Sequence, residues 1–362
     1  MNDRNINLSV FVDLQKAFDT VNHSILIRKL EQYGIRGLPL ALISDYLCNR
    51  TQRVKIFNSF SSVRPVNLGI PQGSILGPIL FLLYINDLPN ISNVFFPVLF
   101  ADDTTITFCD KFPNIFVNKC NADLEKLNSW TISNRLSINT EKTFYIVITN
   151  QIIDQPFPNV ILNNEIIQMA QSGKFLGVIL DHKMKFNLHI NAICRKISKS
   201  IGILFKLRDY LPLPKLICLY YTFIYPYLIY CNLVWGSTFE THLKPLIILQ
   251  KKVIRIINRA DFNDHTNDLF YMNKILKIAD IHNYNLAIYM YKNKNSSNFK
   301  RIHDYQTRHS SQLIPNYHRL TTTQHSLTFT GPITWNQIPE RIRQARSLTL
   351  FKKAMKDHLL SK

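Results

Sequence analysis

The sequence lacks paired cysteines. Its six cysteines are scattered without any Cys-x-x-Cys pair: Cys48, Cys109, Cys120, Cys194, Cys218 and Cys231. Disulfide frameworks and zinc sites usually bring cysteines together at short, regular spacings. The spacing therefore predicts reduced thiols in an intracellular protein and no structural zinc. Residues 1–5 also have no apolar signal core, so secretion is not indicated, and the sequence does not choose between nucleus and cytoplasm.

Acidic residues are scarce in the carboxyl-terminal half. Residues 1–181 carry 15 basic and 15 acidic side chains, whereas residues 182–362 carry 28 basic and 9 acidic ones, so the whole net charge of +19 lies beyond residue 181. A basic half favours a polyphosphate partner, because neutralising phosphates releases condensed counterions. The alternative is an ordinary lysine-rich solvated surface.

One stretch imitates a membrane span. Residues 216–235 carry almost no charge over twenty residues, which is about the length that a bilayer requires. The stretch also contains Pro226, Asn232 and five tyrosines, whose hydroxyls would be poorly placed in hydrocarbon. We therefore expect a buried helix pair broken near Pro226 and no membrane anchor.

Three carboxylates stand at predicted strand ends. Ile6–Val12 alternates apolar and polar residues as a half-buried strand does, and Asp13 follows it. Asp102 and Asp103 lie together at a hairpin tip between two apolar runs. Adjacent carboxylates repel each other and are costly beside an apolar core unless a cation neutralises them. Since two-metal phosphoryl-transfer sites hold Mg²⁺ ions roughly 3.5–4 Å apart on such oxygens, the pattern predicts in-line attack on a phosphate; ordinary turn aspartates are the alternative.

Periodicity and turn residues predict most of the local structure. Strands are expected over 53–57 and 62–66, paired around a Ser-rich turn, and over 144–148, and Asn163-Asn164 is expected to close a hairpin. Helices are expected over 24–33, 38–47, 75–85, 114–134, 188–207, 243–258 and 348–360, with a linker at 293–298.

The order and spacing of several segments resemble the motifs of reverse transcriptases, and the closest resemblance is to polymerases of non-LTR (LINE-like) retrotransposons. The segments resembling motifs A, B, C, D and E are 12–19, 69–78, 100–103, 136–143 and 175–181. The tail, 331–336 and 347–352, resembles the region that follows the polymerase in such elements.

The resemblance implies a domain organisation. We expect an α+β reverse-transcriptase palm, an antiparallel sheet backed by helices, over 1–181. A helical basic thumb is expected over 182–262, and a mostly helical region typical of non-LTR elements over 263–362. Because only twelve residues precede Asp13, we expect truncation before motif A, a largely absent fingers subdomain, and weak or absent polymerisation by this chain alone.

The resemblance also implies the chemistry of the site. Asp13 and Asp102 would be the direct ligands of two Mg²⁺ ions, with Mn²⁺ as an alternative metal, and Asp103 would complete or support them. The Leu14 carbonyl would add a ligand by resemblance only. Lys142 would protonate the leaving pyrophosphate as a general acid.

Two groups of residues would contact the nucleotide. Phe18 would select dNTP over rNTP by occupying the space of a ribose 2′-hydroxyl, with a core position as the alternative. Pro71, Gln72 and Gly73 form the centre of motif B, where a residue without a Cβ lets backbone approach the nascent base pair. Asp19 is expected to cap the helix that follows.

The implied partners are an RNA template, a DNA primer and dNTP. The residues expected to hold primer and template are Phe175, Leu176, Gly177, Arg195, Lys196 and Lys199. The predicted function is RNA-directed DNA polymerisation for a retrotransposon, by nucleotidyl transfer from dNTP to a primer 3′-hydroxyl. The alternative is a catalytically inactive, nucleic-acid-binding remnant; the tail makes a group II intron maturase a weaker match.

Overall fold

The structure is a computed structural model that describes residues 5–111, 113–149, 157–294, 296, 299–300, 312–316, 318 and 320–361. The chain divides between Leu176 and Gly177 into two compact units, here called the amino-terminal and carboxyl-terminal units. The domain limits expected at residues 181 and 262 stay predictions. Half of the expected linker at 293–298 lies outside the described residues.

The amino-terminal unit mixes strands and helices. Its described strands are β1 (Ile6–Val12), β2 (Thr51–Gln52), β3 (Lys55–Ile56), β4 (Ser59–Phe60), β5 (Arg64–Pro65), β6 (Phe96–Phe100), β7 (Asp103–Asp110), β8 (Phe144–Ile148), β9 (Ile161–Leu162), β10 (Glu165–Ile166), β11 (Gln168–Met169) and β12 (Ser172–Phe175). Its described helices are α1 (His23–Gln32), α2 (Leu38–Leu47), α3 (Leu76–Ile85) and α4 (Pro113–Ser133), with a 3-10 turn at Leu88–Ile91.

A five-stranded sheet forms the centre of this unit. The strand order is β11-β8-β1-β7-β6, and β1 runs antiparallel to both β7 and β8. Alternate β1 side chains, Ile6, Leu8 and Val10, are fully buried with apolar residues of α3 and α4. The expected antiparallel sheet backed by helices is confirmed, except that β11 pairs with β8 in parallel.

Turn chemistry corrects two local predictions. Asn22, and not Asp19, caps α1, because its side-chain oxygen accepts from the Ile25 N–H at 3.1 Å. The strands expected over 53–57 and 62–66 do not pair around the serines. Instead the chain reverses after Ile56, which pairs with Ser59, and the Ser61 hydroxyl accepts from the Val54 N–H. The hairpin closed by Asn163-Asn164 is confirmed.

The carboxyl-terminal unit is mostly helical. It begins with strand β13 (Val178–Asp181), and its described helices are α5 (Asn187–Leu207), α6 (Leu213–Phe223), α7 (Tyr225–Ile229), α8 (Asn232–Trp235), α9 (Glu240–Asn258), α10 (Asn267–Met272), α11 (Ile278–Asn293), α12 (Thr321–Gln324), α13 (Leu327–Gln337), α14 (Glu340–Arg343) and α15 (Leu348–Leu360).

The apolar stretch at 216–235 is interrupted twice. The chain leaves the helix at Ile224, before Pro226, and again before Cys231, whose φ is +49°. The expected break near Pro226 is thus confirmed, but three short helices replace the expected pair. Among the described residues, no helix has the length and apolarity needed to cross a membrane.

Helix α5 shows how the basic residues are displayed. Ile190, Ile193 and Ile197 recur at helical spacing and are buried in the core of the carboxyl-terminal unit. The residues between them stay at the surface, and the exposed ones include Arg195 and Lys196. An amphipathic helix therefore carries the basic face that the sequence predicted.

Candidate active site

Strand register brings two of the three predicted carboxylates to one end of the sheet. Val12 of β1 lies opposite Thr104 of β7 in an antiparallel pair. Continuing that register by one residue places Asp13 opposite Asp103. Asp102 precedes Asp103 in the turn that joins β6 to β7, where Ala101 adopts a left-handed φ of +51°. The three carboxylates therefore cluster at the carboxyl end of β1.

The electrostatics show that these carboxylates interact. Partial burial raises the pKa of the Asp103 carboxyl, and the nearby charges of Asp102 and Asp13 raise it further, while Lys174 opposes the rise. Like charges favour protonation of one carboxyl because the ionised forms repel each other. A bound cation would relieve the same repulsion.

Two cavities adjoin Asp13. One, of about 160 Å³, is lined by Asp13, Asp103, Lys142, Lys174 and Phe175, together with strand residues of β1, β7 and β8. The other, of about 470 Å³, extends along the loop after β1 and is also lined by Asp13 and Lys142. Lys142, the predicted general acid, is therefore within reach of both spaces.

Lys174 is a site residue that sequence reasoning missed. Its neighbour Phe175 is one of the residues predicted to hold primer and template, so a lysine beside it was the available signal. Only the fold shows that Lys174 borders the same cavity as Asp103 and that its positive charge lowers the pKa of the Asp103 carboxyl.

The segment that resembles motif D holds Asp13 in place. The Asp13 N–H donates to the Thr143 hydroxyl at 3.2 Å, and the Asn139 N–H donates to the Asp13 carbonyl at 2.8 Å. The Thr143 hydroxyl in turn donates to the Asn139 carbonyl at 2.8 Å. Thr143 is buried, so this hydroxyl is a positioning group that the sequence analysis did not identify.

Replacing Thr143 by valine is expected to destabilise the amino-terminal unit by about 1–3 kcal/mol, because the Asp13 N–H and the Asn139 carbonyl lose a buried partner. Urea unfolding followed by hydrogen exchange in β1 measures the loss. Thr143→Ser keeps the hydroxyl and is the matched control. Unchanged stability in Thr143→Val, with a loss only in Thr143→Ser, would show that the methyl group matters and the hydroxyl does not.

Leu14 continues the same pairing. It forms an isolated antiparallel bridge with Ile138. The hydrogen bonds on either side use the Asp13 carbonyl and the Gln15 N–H, which donates to the Ser137 carbonyl at 2.8 Å. These hydrogen bonds do not use the Leu14 carbonyl, which therefore stays available for its predicted role as a metal ligand.

Motifs A and B are joined by backbone hydrogen bonds. The Ile70 N–H donates to the Phe18 carbonyl and the Gly69 N–H to the Val21 carbonyl, both at 2.8 Å. A Cβ on Gly69, whose φ is +84°, would lie 2.7 Å from the Asp19 carbonyl oxygen. Only glycine allows this approach of two backbones.

The residues predicted to contact the nucleotide lie around this junction. Phe18 is half-buried and stacks on Phe81 with ring centroids 4.6 Å apart. One face of the ring therefore packs on the core, and the predicted role in sugar selection stays a prediction. Gln72 donates from Nε2 to the Asp19 carboxylate at 2.9 Å. Gly73 is exposed with a φ of +79°, whereas Pro71 is half-buried.

The residues predicted to hold primer and template fall in both units. The ring centroids of Phe175 and Phe11 lie 6.0 Å apart in an edge-to-face contact. Phe175 and Leu176, whose φ is +44°, belong to the amino-terminal unit. Those in the carboxyl-terminal unit are Gly177, Arg195, Lys196 and Lys199. The three basic side chains are exposed on α5, and the Lys196 ammonium lies 5.4 Å from the Tyr227 ring centroid. Their roles stay predictions.

Within the described part of the chain, no group of three or more His, Cys, Asp or Glu side chains is arranged to hold a metal ion by itself. Mg²⁺ often takes one or two protein carboxylates and completes its octahedron with water and substrate phosphates. A site of this kind needs no preformed protein cage.

Comparison with known proteins gives a family for the amino-terminal part of the chain. Residues 2–180 match the reverse transcriptase (RNA-dependent DNA polymerase) family. This region is a reverse transcriptase domain. The matched range contains Asp13, Asp102 and Asp103, and the members of this family generally use divalent metal ions.

Curated relatives agree with the resemblance to non-LTR retrotransposon polymerases. The chain is 29% identical over 290 residues to the RNA-directed DNA polymerase from mobile element jockey of Drosophila melanogaster, covering 77% of this chain and 31% of that protein. It is 30% identical over 283 residues to the jockey polymerase of Drosophila funebris, covering 75% of this chain and 30% of that protein. The chain thus spans under a third of the length of these relatives.

One solved structure has a weak overall likeness to this chain. It is the telomerase from Candida albicans in complex with a fragment of telomeric RNA, at a TM-score of 0.42 and 14% identity, covering 81% of this chain and 45% of that one.

Proposed function

We infer that this chain contains the metal-dependent nucleotidyl-transfer site of an RNA-directed DNA polymerase, acting for a retrotransposon inside the cell. The observation that carries it is the register of β1 and β7, which pairs Val12 with Thr104 and, continued by one residue, sets Asp13 opposite Asp103 with Asp102 adjacent. The substrates would be an RNA template, a DNA primer and dNTP.

The donor set fits a hard divalent cation. Three carboxylates cluster at one strand end, where burial first and then the charges of Asp102 and Asp13 raise the pKa of Asp103. Asp13, Asp102 and Asp103, with the Leu14 carbonyl, would hold two Mg²⁺ or Mn²⁺ ions. The chemistry that such ions would supply here is activation of the primer 3′-hydroxyl and stabilisation of the leaving pyrophosphate.

The other side chains would position the substrates and move a proton. Lys142 and Lys174 border the cavity beside Asp13 and Asp103, where either ammonium would attract a triphosphate. Lys142 would donate its proton to the pyrophosphate oxygen on departure. Thr143 and Asn139 would fix the Asp13 backbone during these steps.

Primer extension tests the proposal directly. The purified chain is incubated with poly(rA), an oligo(dT) primer, dTTP and either Mg²⁺ or Mn²⁺. The expected result is extension, weak in amount, that EDTA abolishes. No extension with either metal, together with retained RNA binding, would favour the inactive nucleic-acid-binding remnant.

Replacing Phe18 by alanine is expected to lower the preference for dTTP over UTP at least roughly tenfold, because the ring that fills the space of the 2′-hydroxyl is removed. Single-nucleotide incorporation at varied dTTP and UTP measures the ratio. Phe18→Tyr retains the ring and its stack on Phe81, so it should keep the preference. A Phe18→Ala variant with unchanged selectivity would leave Phe18 as a core residue only.

A further inference from the structure

A charged and aromatic arm projects from the amino-terminal unit between motifs A and B. Every residue from 51 to 65 is exposed, and this segment, β2 to β5, is called the arm below. The sequence has no acidic residue from 46 to 86, while Arg50, Arg53, Lys55 and Arg64 lie in or beside the arm. The arm therefore presents positive charge with no neighbouring acid in sequence.

Backbone pairing makes the arm a defined ribbon. Thr51 pairs with Pro65, and Lys55 pairs with Phe60. Between these pairs the Ser61 N–H donates to the Val54 carbonyl at 2.9 Å, and the Val54 N–H donates to the Ser61 hydroxyl at 2.9 Å. The ribbon is thus hydrogen-bonded from base to tip and can hold its side chains in fixed positions.

Two phenylalanines stand on this ribbon among the cations. Phe57 forms the tip with a φ of +53° and is 92% exposed, and Phe60 is 50% exposed. The Arg53 guanidinium carbon lies 4.1 Å from the Phe60 ring centroid, and the Lys55 ammonium lies 5.3 Å from it. The ring holds both cations by cation–π attraction and keeps them beside an exposed apolar surface.

We propose that the arm binds single-stranded nucleic acid, with Phe57 and the Arg53–Phe60 stack receiving bases and Lys55 and Arg64 contacting phosphates. Aromatic rings and planar guanidinium groups stack on unpaired bases of any sequence, and adjacent cations follow the backbone. A duplex hides its base faces, so it would leave Phe57 without a partner. A strand of phosphates also complements a segment that has four cations and no acid.

The base of the arm is continuous with the nucleotide site. The Val66 N–H donates to the Arg50 carbonyl at 2.8 Å, Leu68 bridges Asn22, and Gly69 then forms the junction of motifs A and B. A strand held by the arm would therefore lie next to the residues that meet the nucleotide. Naming that strand as the RNA template rests on the proposed function, whereas single-strand binding itself does not.

Fluorescence anisotropy with labelled oligo(U) of twenty nucleotides tests the proposal, without metal or dNTP and at several salt concentrations. The double variant Phe57→Ala/Phe60→Ala is expected to bind roughly 10- to 100-fold more weakly. Lys55→Gln is expected to reduce the slope of log affinity against log salt by about 0.7. Affinity for an RNA–DNA duplex should be unchanged in the double variant.

The carboxyl-terminal unit offers a matched control. Phe262 is 83% exposed, and the Arg255 guanidinium carbon lies 5.9 Å from its ring centroid, so Phe262→Ala removes a similar exposed ring elsewhere. Crosslinking of RNA that carries 5-iodouridine, mapped by mass spectrometry, should label the arm.

The outcomes separate this proposal from the polymerase function. Weaker single-strand binding in the double variant but not in Phe262→Ala supports the arm, even if no primer is ever extended. Unchanged oligo(U) affinity in the double variant, or no binding by the wild type, overturns it, even if the chain polymerises. Unchanged affinity would leave a protein partner as the occupant of the exposed rings.

Discussion

Asparagine in place of Asp13 or Asp102 is expected to reduce primer extension at least about 100-fold. Each substitution keeps the shape of the side chain but removes a negative charge from the end of β1 or from the adjoining turn, where the carboxylates would hold the metal. Extension of oligo(dT) on poly(rA), with the product resolved by length, measures the loss. The protein should remain folded, because both changes lie at a strand end and not in the core.

Asp45→Asn is the matched control, since it removes an exposed carboxylate from α2 of the same unit. It should leave extension unchanged. Equal losses in Asp45→Asn and Asp102→Asn would indicate a general charge effect. Full activity in Asp102→Asn would contradict the proposed site.

Removing a charge from the same cluster is expected to reduce activity but to increase the stability of the fold. The folded-state pKa of Asp103 is raised, so the folded protein binds a proton more tightly there than the unfolded chain does. The contribution of Asp103 to stability is therefore lost as pH rises through that pKa, and at neutral pH the ionised carboxyl destabilises the fold. Asp103→Asn is expected to raise the unfolding temperature in EDTA at neutral pH while abolishing extension.

Alanine at Gly69 is expected to destabilise the amino-terminal unit by about 3 kcal/mol and to reduce extension with it. The added Cβ would lie 2.7 Å from the Asp19 carbonyl oxygen, and the backbone φ of +84° is itself unfavourable for alanine. Because the Asp19 atom belongs to the backbone, it cannot rotate away. If the segments around Asp19 and Gly69 moved apart, Phe18 and Gln72 would shift from the positions where they are predicted to contact the nucleotide.

Gly34→Ala measures how much of the lost stability comes from the positive φ alone, without a steric clash. Gly34 has a φ of +91°, but a Cβ there would meet no atom within 4 Å. Its alanine variant is therefore expected to lose only about 1–2 kcal/mol. Urea titration with hydrogen exchange in β1 compares the two variants, and equal losses would show that the close approach at Gly69 is tolerated.

Local patterns predicted the central strands and the longer helices of this chain, although α11, with 16 residues, was not predicted. Alternation in Ile6–Val12 predicted β1, and the buried spacing of Ile190, Ile193 and Ile197 predicted α5. These predictions succeeded because each element buries one face, so that its period is written into the sequence. The order and spacing of three motifs likewise predicted a reverse transcriptase.

Predictions failed where turn chemistry or backbone pairing decided the result. Asp19 and Asn22 are both good caps by composition, and only the path of the chain selects Asn22. The serines at 59–62 suggested a turn, yet register moved the reversal to Phe57 and Asn58. Neither outcome follows from local propensity.

The sequence by itself determined the three carboxylates, the motif order and the basic carboxyl-terminal half. These features depend only on residue types and on their spacing along the chain. The tertiary structure decided what lies beside those carboxylates. Long-range register set Asp13 opposite Asp103, and folding brought Lys174 and Thr143 to them from beyond residue 140. Contacts between residues seventy or more positions apart depend on how strands pair, and a single sequence does not display that pairing.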